Sequence, residues 1–141
     1  MGSTYAFNRY SEEYDEWYRD KRNSLILESE VKAIESLKPK GVGVEVGVGT
    51  GVFAVKFDVY IGLDPAKEML KIAKKRGINV IQAVGESIPL RDNCFDYVLL
   101  VSTFCFLNDP RSFLKEAERI LKDEGNLFIG FIPRDSKWGE L

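Results

Sequence analysis

Histidine is absent from this chain of 141 residues. That absence excludes Ser-His and Cys-His nucleophile pairs and any imidazole general base. Only two cysteines occur, Cys94 and Cys105, and their spacing matches no zinc signature, so no metal site is expected. Both are expected to be buried as small apolar side chains. No apolar run approaches the roughly 18–20 residues that span a bilayer, and the polar, charged N-terminus lacks the apolar core of a secretory signal. The expected location is the cytoplasm, with no membrane partner. Charge of one sign is scarce too: 20 Lys and Arg stand against 22 Asp and Glu, a formal net charge of -2. No global field gathers nucleic acid. The local run Lys74-Lys75-Arg76 ends a predicted helix, where cations complement the helix dipole.

What is present is enough for one compact domain: 45% of residues are hydrophobic, without repeats or low-complexity tracts. Residues 5–22 are aromatic and charged, and Tyr10, Tyr14 and Trp17 recur at helical spacing. A second helix starts with Ser24 as its cap and carries an apolar stripe of Leu27, Val31, Ile34 and Leu37. Pro39-Lys40-Gly41 stops it. Strands then alternate with helices. Strands are expected at about 42–46, 59–63, 78–83, 95–101 and 126–132. Helices are expected at about 50–57, from Pro65 to Gly77 with Asp64 as cap, and after Asp109-Pro110. Apolar strands separated by helices imply an α/β fold, with a doubly wound, mostly parallel sheet flanked by helices.

The densest signal is Val44-Glu45-Val46-Gly47-Val48-Gly49-Thr50-Gly51, an apolar strand entering a glycine turn and then a helix. Glycine lets backbone approach a ligand and adopt positive φ at no steric cost. Thirteen residues beyond Gly51, the run Val59-Tyr60-Ile61-Gly62-Leu63 ends in Asp64, which can accept hydrogen bonds from a ribose diol. A dinucleotide fingerprint would place its third small residue at position 52, which is Val52, and no P-loop occurs. Glu45 beside the turn repels a pyrophosphate and suits an amino group and a sulfonium charge.

This pattern resembles the first motif of the class I S-adenosylmethionine-dependent methyltransferases, in a small "type 11"-like form. Gly62-Leu63-Asp64-Pro65 with Glu68-Met69-Leu70 looks like the family's second strand and following helix. Gly85-Glu86-Ser87-Ile88-Pro89-Leu90 resembles its loop before the fourth strand, and Phe95-Asp96-Tyr97-Val98 that strand. Leu114 to Lys122 followed by Gly125 looks like the approach to the fifth. The resemblance implies a Rossmann-like strand order of 3-2-1-4-5. It implies S-adenosylmethionine as cofactor, S-adenosylhomocysteine as product, and residues 1–23 as a lid segment on a 24–141 core.

The resemblance also implies site roles. Gly47, Gly49 and Gly51 let the cofactor approach, and Glu45 stands near its amino group. Asp64 and Pro65 meet the ribose. Met69 is placed either against the adenine or in the core. Gly85, Glu86 and Ser87 face the adenine amino group, with a solvated loop acid as the alternative for Glu86. Ser102, Thr103 and Phe104 border the methionyl moiety and the acceptor. Tyr10, Tyr14 and Trp17 form either a lid or the inner face of a packed helix, and Arg134 and Trp138 line the opposite side. No catalytic residue is assigned. A small-molecule acceptor is expected, because no Asn/Asp-Pro-Pro-Tyr/Phe motif follows the fourth strand.

The family continues past its fifth strand with a helix and an antiparallel pair, whereas this sequence ends nine residues after Ile132. Three readings stay open: a shortened product, a natural minimal form, or a homodimer whose second copy covers the strand-five edge. Two other functions stay open as well. One is a non-catalytic cofactor-binding module. The other is a nicotinamide-dependent oxidoreductase, against which Val52 and the early Gly51 speak.

Overall fold

Short apolar runs emerge from turns and feed helices throughout the chain. The computed structural model describes residues 2–131. Its strands are β1 (Gly43–Val46), β2 (Ile61–Asp64), β3 (Val80–Gln82), β4 (Phe95–Val101) and β5 (Leu121–Gly130). Every neighbouring pair is parallel, and the order is β3-β2-β1-β4-β5. This is the doubly wound, Rossmann-like sheet expected from the sequence. The winding reverses between β1 and β4, so a ligand crevice opens at their carboxyl ends.

Six helices accompany the sheet among the described residues: α1 (Gly2–Arg9), α2 (Ser11–Arg19), α3 (Ser24–Glu35), α4 (Val52–Phe57), α5 (Lys67–Lys75) and α6 (Pro110–Ile120). One sheet face packs Val44, Val46, Leu63, Val98 and Leu100 against Phe113, Ala117 and Ile120 of α6. The other packs Tyr97, Leu99 and Val101 against Val31 and Ile34 of α3 and Phe53 of α4. Leu70 of α5 joins Val48, Ala54 and Val59 in a third cluster. Both faces are thus covered, which is why β1 and β2 are buried along their whole length. No helix among the described residues is long and apolar enough to cross a membrane.

Local departures from the sequence reading have local causes. The N-terminal helix is two helices, because Tyr10 leaves helical geometry at φ -111, ψ 26. Ser24 opens α3, but its hydroxyl donates to the Lys21 carbonyl instead of capping. α3 ends at Glu35, which leaves Leu37 outside the stripe and exposed. α4 starts at Val52 because Gly51, in the left-handed region, is its cap. α5 starts only at Lys67, and Asp64 does not cap it: one carboxylate oxygen accepts the Ala66 N–H and the other the Gly49 N–H. β3 is shorter than expected. β5 begins at Leu121 opposite Phe95, and its ladder shifts register before resuming at Asn126 opposite Tyr97. Ile132 lies outside the described residues. Cys94 and Cys105 are exposed, not buried. Cys94 occupies the turn before β4, and Cys105 a single 3-10 turn at Phe104–Phe106. The Asp109-Pro110 start of α6 holds as read, with the Asp109 carboxylate accepting both the N–H and the hydroxyl of Ser112.

Candidate active site

The three alternating glycines do three different jobs. All have positive φ: Gly47 at 74°, Gly49 at 57° and Gly51 at 86°. A Cβ on Gly47 would stand 2.3 Å from the Thr103 hydroxyl oxygen, so this glycine admits the side chain that follows β4. A Cβ on Gly51 would meet Ala73 and Ile78 at 3.3 Å, so this one seats the glycine loop on α5. Around Gly49 only Tyr14 Cε1 comes near, at 3.9 Å. Gly49 is therefore the bare backbone that faces open space.

That space is a cavity of about 1010 Å³ over the carboxyl ends of β1, β2 and β4. Val46, Gly47 and Gly49 form its floor, with Asp64, Pro65 and Met69 to one side and Ala83, Val84, Gly85 and Glu86 beyond them. Ser102 and Thr103 border it from β4. Ser102 sits at φ 53, a strained value for a residue with a Cβ, and its N–H donates to the Gly130 carbonyl at 2.8 Å. That turn swings Thr103 onto Gly47.

Two acids stand at the strand ends. Asp64 is 8% exposed, and each of its oxygens accepts one backbone N–H, at 2.9 Å from Gly49 and 2.8 Å from Ala66. Burial raises its carboxyl above the usual range, and those two donors counteract it. Glu45 is 1% exposed, with Oε1 buried and without a hydrogen-bond partner. Burial, reinforced by the Asp64 charge, pushes its carboxyl well above the ordinary value. An orphaned buried carboxylate is costly unless something cationic meets it.

α1 and α2 are stitched over the cavity. The Asn8 side-chain oxygen accepts the Glu68 N–H at 3.0 Å. Buried Asp15 pairs with Arg76 at 2.7 Å and 3.1 Å, and the same guanidinium donates to the Thr50 carbonyl at 2.8 Å. Burial is the largest single influence and opposes ionisation of Asp15, yet Arg76, Thr50 and the Arg19 charge together outweigh it and hold the carboxyl below the usual value. Phe7 meets Phe106 edge-on with centroids 5.1 Å apart, and Tyr14 meets Tyr18 at 5.3 Å.

The structure brings most of the sequence-derived candidates together, but not all. Gly47, Gly49, Asp64, Pro65, Met69, Gly85, Glu86, Ser102, Thr103, Tyr14 and Trp17 line the cavity, while Glu45 is buried in β1 next to the lining residue Val46. Met69 is also a core residue at 1% exposure. Glu86 is partly committed elsewhere: one of its oxygens accepts the N–H groups of Asn108 and Asp109. Gly51 faces α5, Ser87 is exposed, Phe104 packs against the core, and Tyr10 points outward under the Arg9 guanidinium. Arg134 and Trp138 lie outside the described residues. Sequence reasoning missed Phe7, Tyr18, Glu30, Asp15 and Arg76. Tyr18 was within reach, four residues past Tyr14 on the same face. Arg76 was read as a helix-end cation, and nothing local links it to Asp15.

Comparison with known proteins decides the family. A methyltransferase-domain family model matches residues 44–129, which hold the sheet and the glycine loop. The chain belongs to the class I S-adenosylmethionine-dependent methyltransferases. The chain is 47% identical to a Methanocaldococcus jannaschii protein over 96% of its own length and 65% of the relative. It superposes with a TM-score of 0.89 on a Thermotoga maritima S-adenosylmethionine-dependent methyltransferase, described as a possible histamine N-methyltransferase. Identity there is 44%, over 99% of this chain and 66% of that one. It is 31% identical to a Geobacter sulfurreducens malonyl-[acyl-carrier protein] O-methyltransferase over 96% of its chain and 54% of the relative. The chain thus spans roughly half to two thirds of the length of these relatives.

The chain's own residues fit the family's cofactor. Gly49 leaves room for it, and the lone pairs remaining on Asp64 suit a ribose diol. The orphaned Glu45 carboxylate suits the ammonium end. Because Asp64 also ties the glycine loop to α5, Asp64→Ala should lose twice. Titration with S-adenosylhomocysteine should show affinity down by about 1–3 kcal/mol, and urea denaturation should show a stability loss of similar size.

Proposed function

We propose that the protein transfers a methyl group from S-adenosylmethionine to a small-molecule acceptor bound in the same cavity. Bound S-adenosylmethionine supplies a methyl carbon already activated by its sulfonium. The residues of this chain then have two tasks, to hold that carbon in line with a nucleophile and to keep water out. Orientation of this kind can be worth roughly 7–11 kcal/mol. Gly49 and Asp64 fix the adenosyl end, Glu45 holds the ammonium end, and Thr103 packs beneath both. Phe7, Tyr14 and Tyr18 cover the acceptor side as a lid.

The observation that carries this reading is the continuity of the cavity. It runs from the acidic, glycine-floored half into a second half walled by α2, α3 and the end of β5. The names of the relatives do not choose an acceptor, since they range from an acyl carrier protein to histamine. Calorimetry with S-adenosylhomocysteine and NAD tests the cofactor part. Binding of the former and not the latter is expected, because Glu45 and Asp64 repel a pyrophosphate. Transfer of labelled methyl to a panel of small acceptors tests the rest. Cofactor binding without transfer to any acceptor would make the chain a binding module.

A further inference from the structure

The second half of the cavity carries a charge signature of its own. Among the described lining residues the charged side chains are Glu30, Asp64 and Glu86, and none is Lys or Arg. Asp64 and Glu86 belong to the cofactor half. Glu30 stands apart on α3, on a cavity-facing stripe with Ile26, Ala33 and Ile34. Its Oε2 is buried and has no hydrogen-bond partner. The facing wall is aromatic: Tyr14, Trp17 and Tyr18 line the cavity, with Trp17 and Tyr18 centroids 5.0 Å apart at 85°.

We infer that the methyl acceptor is a small organic amine that enters as its ammonium ion and is held by Glu30 against the faces of Tyr14, Trp17 and Tyr18. This deepens the methyl-transfer reading and rests on it. The partnerless Oε2 is satisfied best by a cationic donor, more weakly by a neutral hydroxyl and not at all by an anionic guest. Aromatic faces add attraction for the same cation and exclude water from it. The charges among the described lining residues are all acidic, which also disfavours carboxylate, phosphate and acyl-phosphopantetheine acceptors. Burial raises the Glu30 carboxyl, which makes it a better proton acceptor than an exposed glutamate.

The step balances without a further reagent. An ammonium has no lone pair, so one proton passes from nitrogen to a Glu30 oxygen. The freed pair forms the nitrogen–carbon bond while the carbon–sulfur bond breaks, its electrons remaining on sulfur. The products are an N-methylammonium and a thioether, and the proton leaves Glu30 for solvent.

The test is a calorimetric titration of the protein preloaded with S-adenosylhomocysteine, using three guests of nearly equal shape: 2-phenylethylamine, 2-phenylethanol and 3-phenylpropionate. The amine is expected to bind, the alcohol about tenfold or more weaker, and the carboxylate not at all. Glu30→Gln should weaken the amine by about tenfold or more and leave the alcohol unchanged. Its unaltered affinity for S-adenosylhomocysteine shows that the variant is folded. Equal binding of amine and alcohol, or an amine affinity indifferent to Glu30→Gln, overturns the inference. If S-adenosylhomocysteine binds and no amine does, this inference falls and the methyl-transfer reading stands. If S-adenosylhomocysteine itself does not bind, both fall.

Discussion

Gly49→Val is expected to abolish binding of S-adenosylhomocysteine in a protein that still unfolds cooperatively. Valine at φ 57 is strained, and the left-handed region costs an L-residue about 1–2 kcal/mol. The fold tolerates that cost because the new Cβ meets no backbone and only the Tyr14 ring, at 3.9 Å. The ligand does not tolerate it, since the branched side chain fills the open space above the loop. An affinity loss of about 100-fold or more is expected by calorimetry, with a single denaturation transition retained. The neighbouring glycines give the contrast. Gly47→Ala drives a methyl into Thr103, and Gly51→Ala crowds Ala73 and Ile78, so both act on stability as well as on the site. Wild-type affinity in a folded Gly49→Val protein would place the cofactor elsewhere.

The second large effect is at Glu45. Glu45→Gln keeps the shape and removes the charge, so S-adenosylhomocysteine affinity should fall about 10- to 100-fold, the worth of a charge-assisted hydrogen bond. Stability without ligand should change in the opposite sense as pH rises. The folded carboxyl titrates well above its unfolded counterpart because of burial and the Asp64 charge. A raised carboxyl favours the folded state most below the unfolded value, about pH 4.3, and that advantage disappears as pH climbs through the folded value. The variant cannot titrate there. Relative to it, wild type should therefore lose stability from about pH 4.3 upward, by at most about 1.4 kcal/mol per pH unit. Urea denaturation of both proteins across this range reads the difference. Parallel stability curves together with unchanged affinity would show that Glu45 carries no such charge.

The sheet was legible because its signals are local. Buried runs such as Val44–Val46 and Val98–Val101, separated by helical periodicity, set strand identity, crossover handedness set the double winding, and the family resemblance supplied the strand order. Glu45, Gly49 and Asp64 were legible for a related reason: each stands where a strand ends, and strand ends converge. The exceptions depended on partners distant in sequence. Gly51 looked like its two neighbours until Ala73 and Ile78 appeared against it. Asp64 read as a helix cap because Pro65 follows it, yet its second oxygen binds Gly49 across the crevice. Tyr10 shares its spacing with Tyr14 but falls on the break between α1 and α2. Glu30 interrupts an apolar helix face, a visible anomaly whose meaning depends on what packs opposite it. Cys94 and Cys105 sit in turns beside strands, where residue type says little about exposure.

A crystal structure of the protein with S-adenosylhomocysteine most directly tests the central claim that the β1 and β2 strand ends form an adenosyl-binding cradle. The account predicts a ribose diol within hydrogen-bonding distance of the Asp64 carboxylate. It also predicts the ligand packed over the open backbone of Gly49, with its ammonium toward Glu45. A nucleoside bound anywhere else, or side chains closing the space above Gly49, would contradict it.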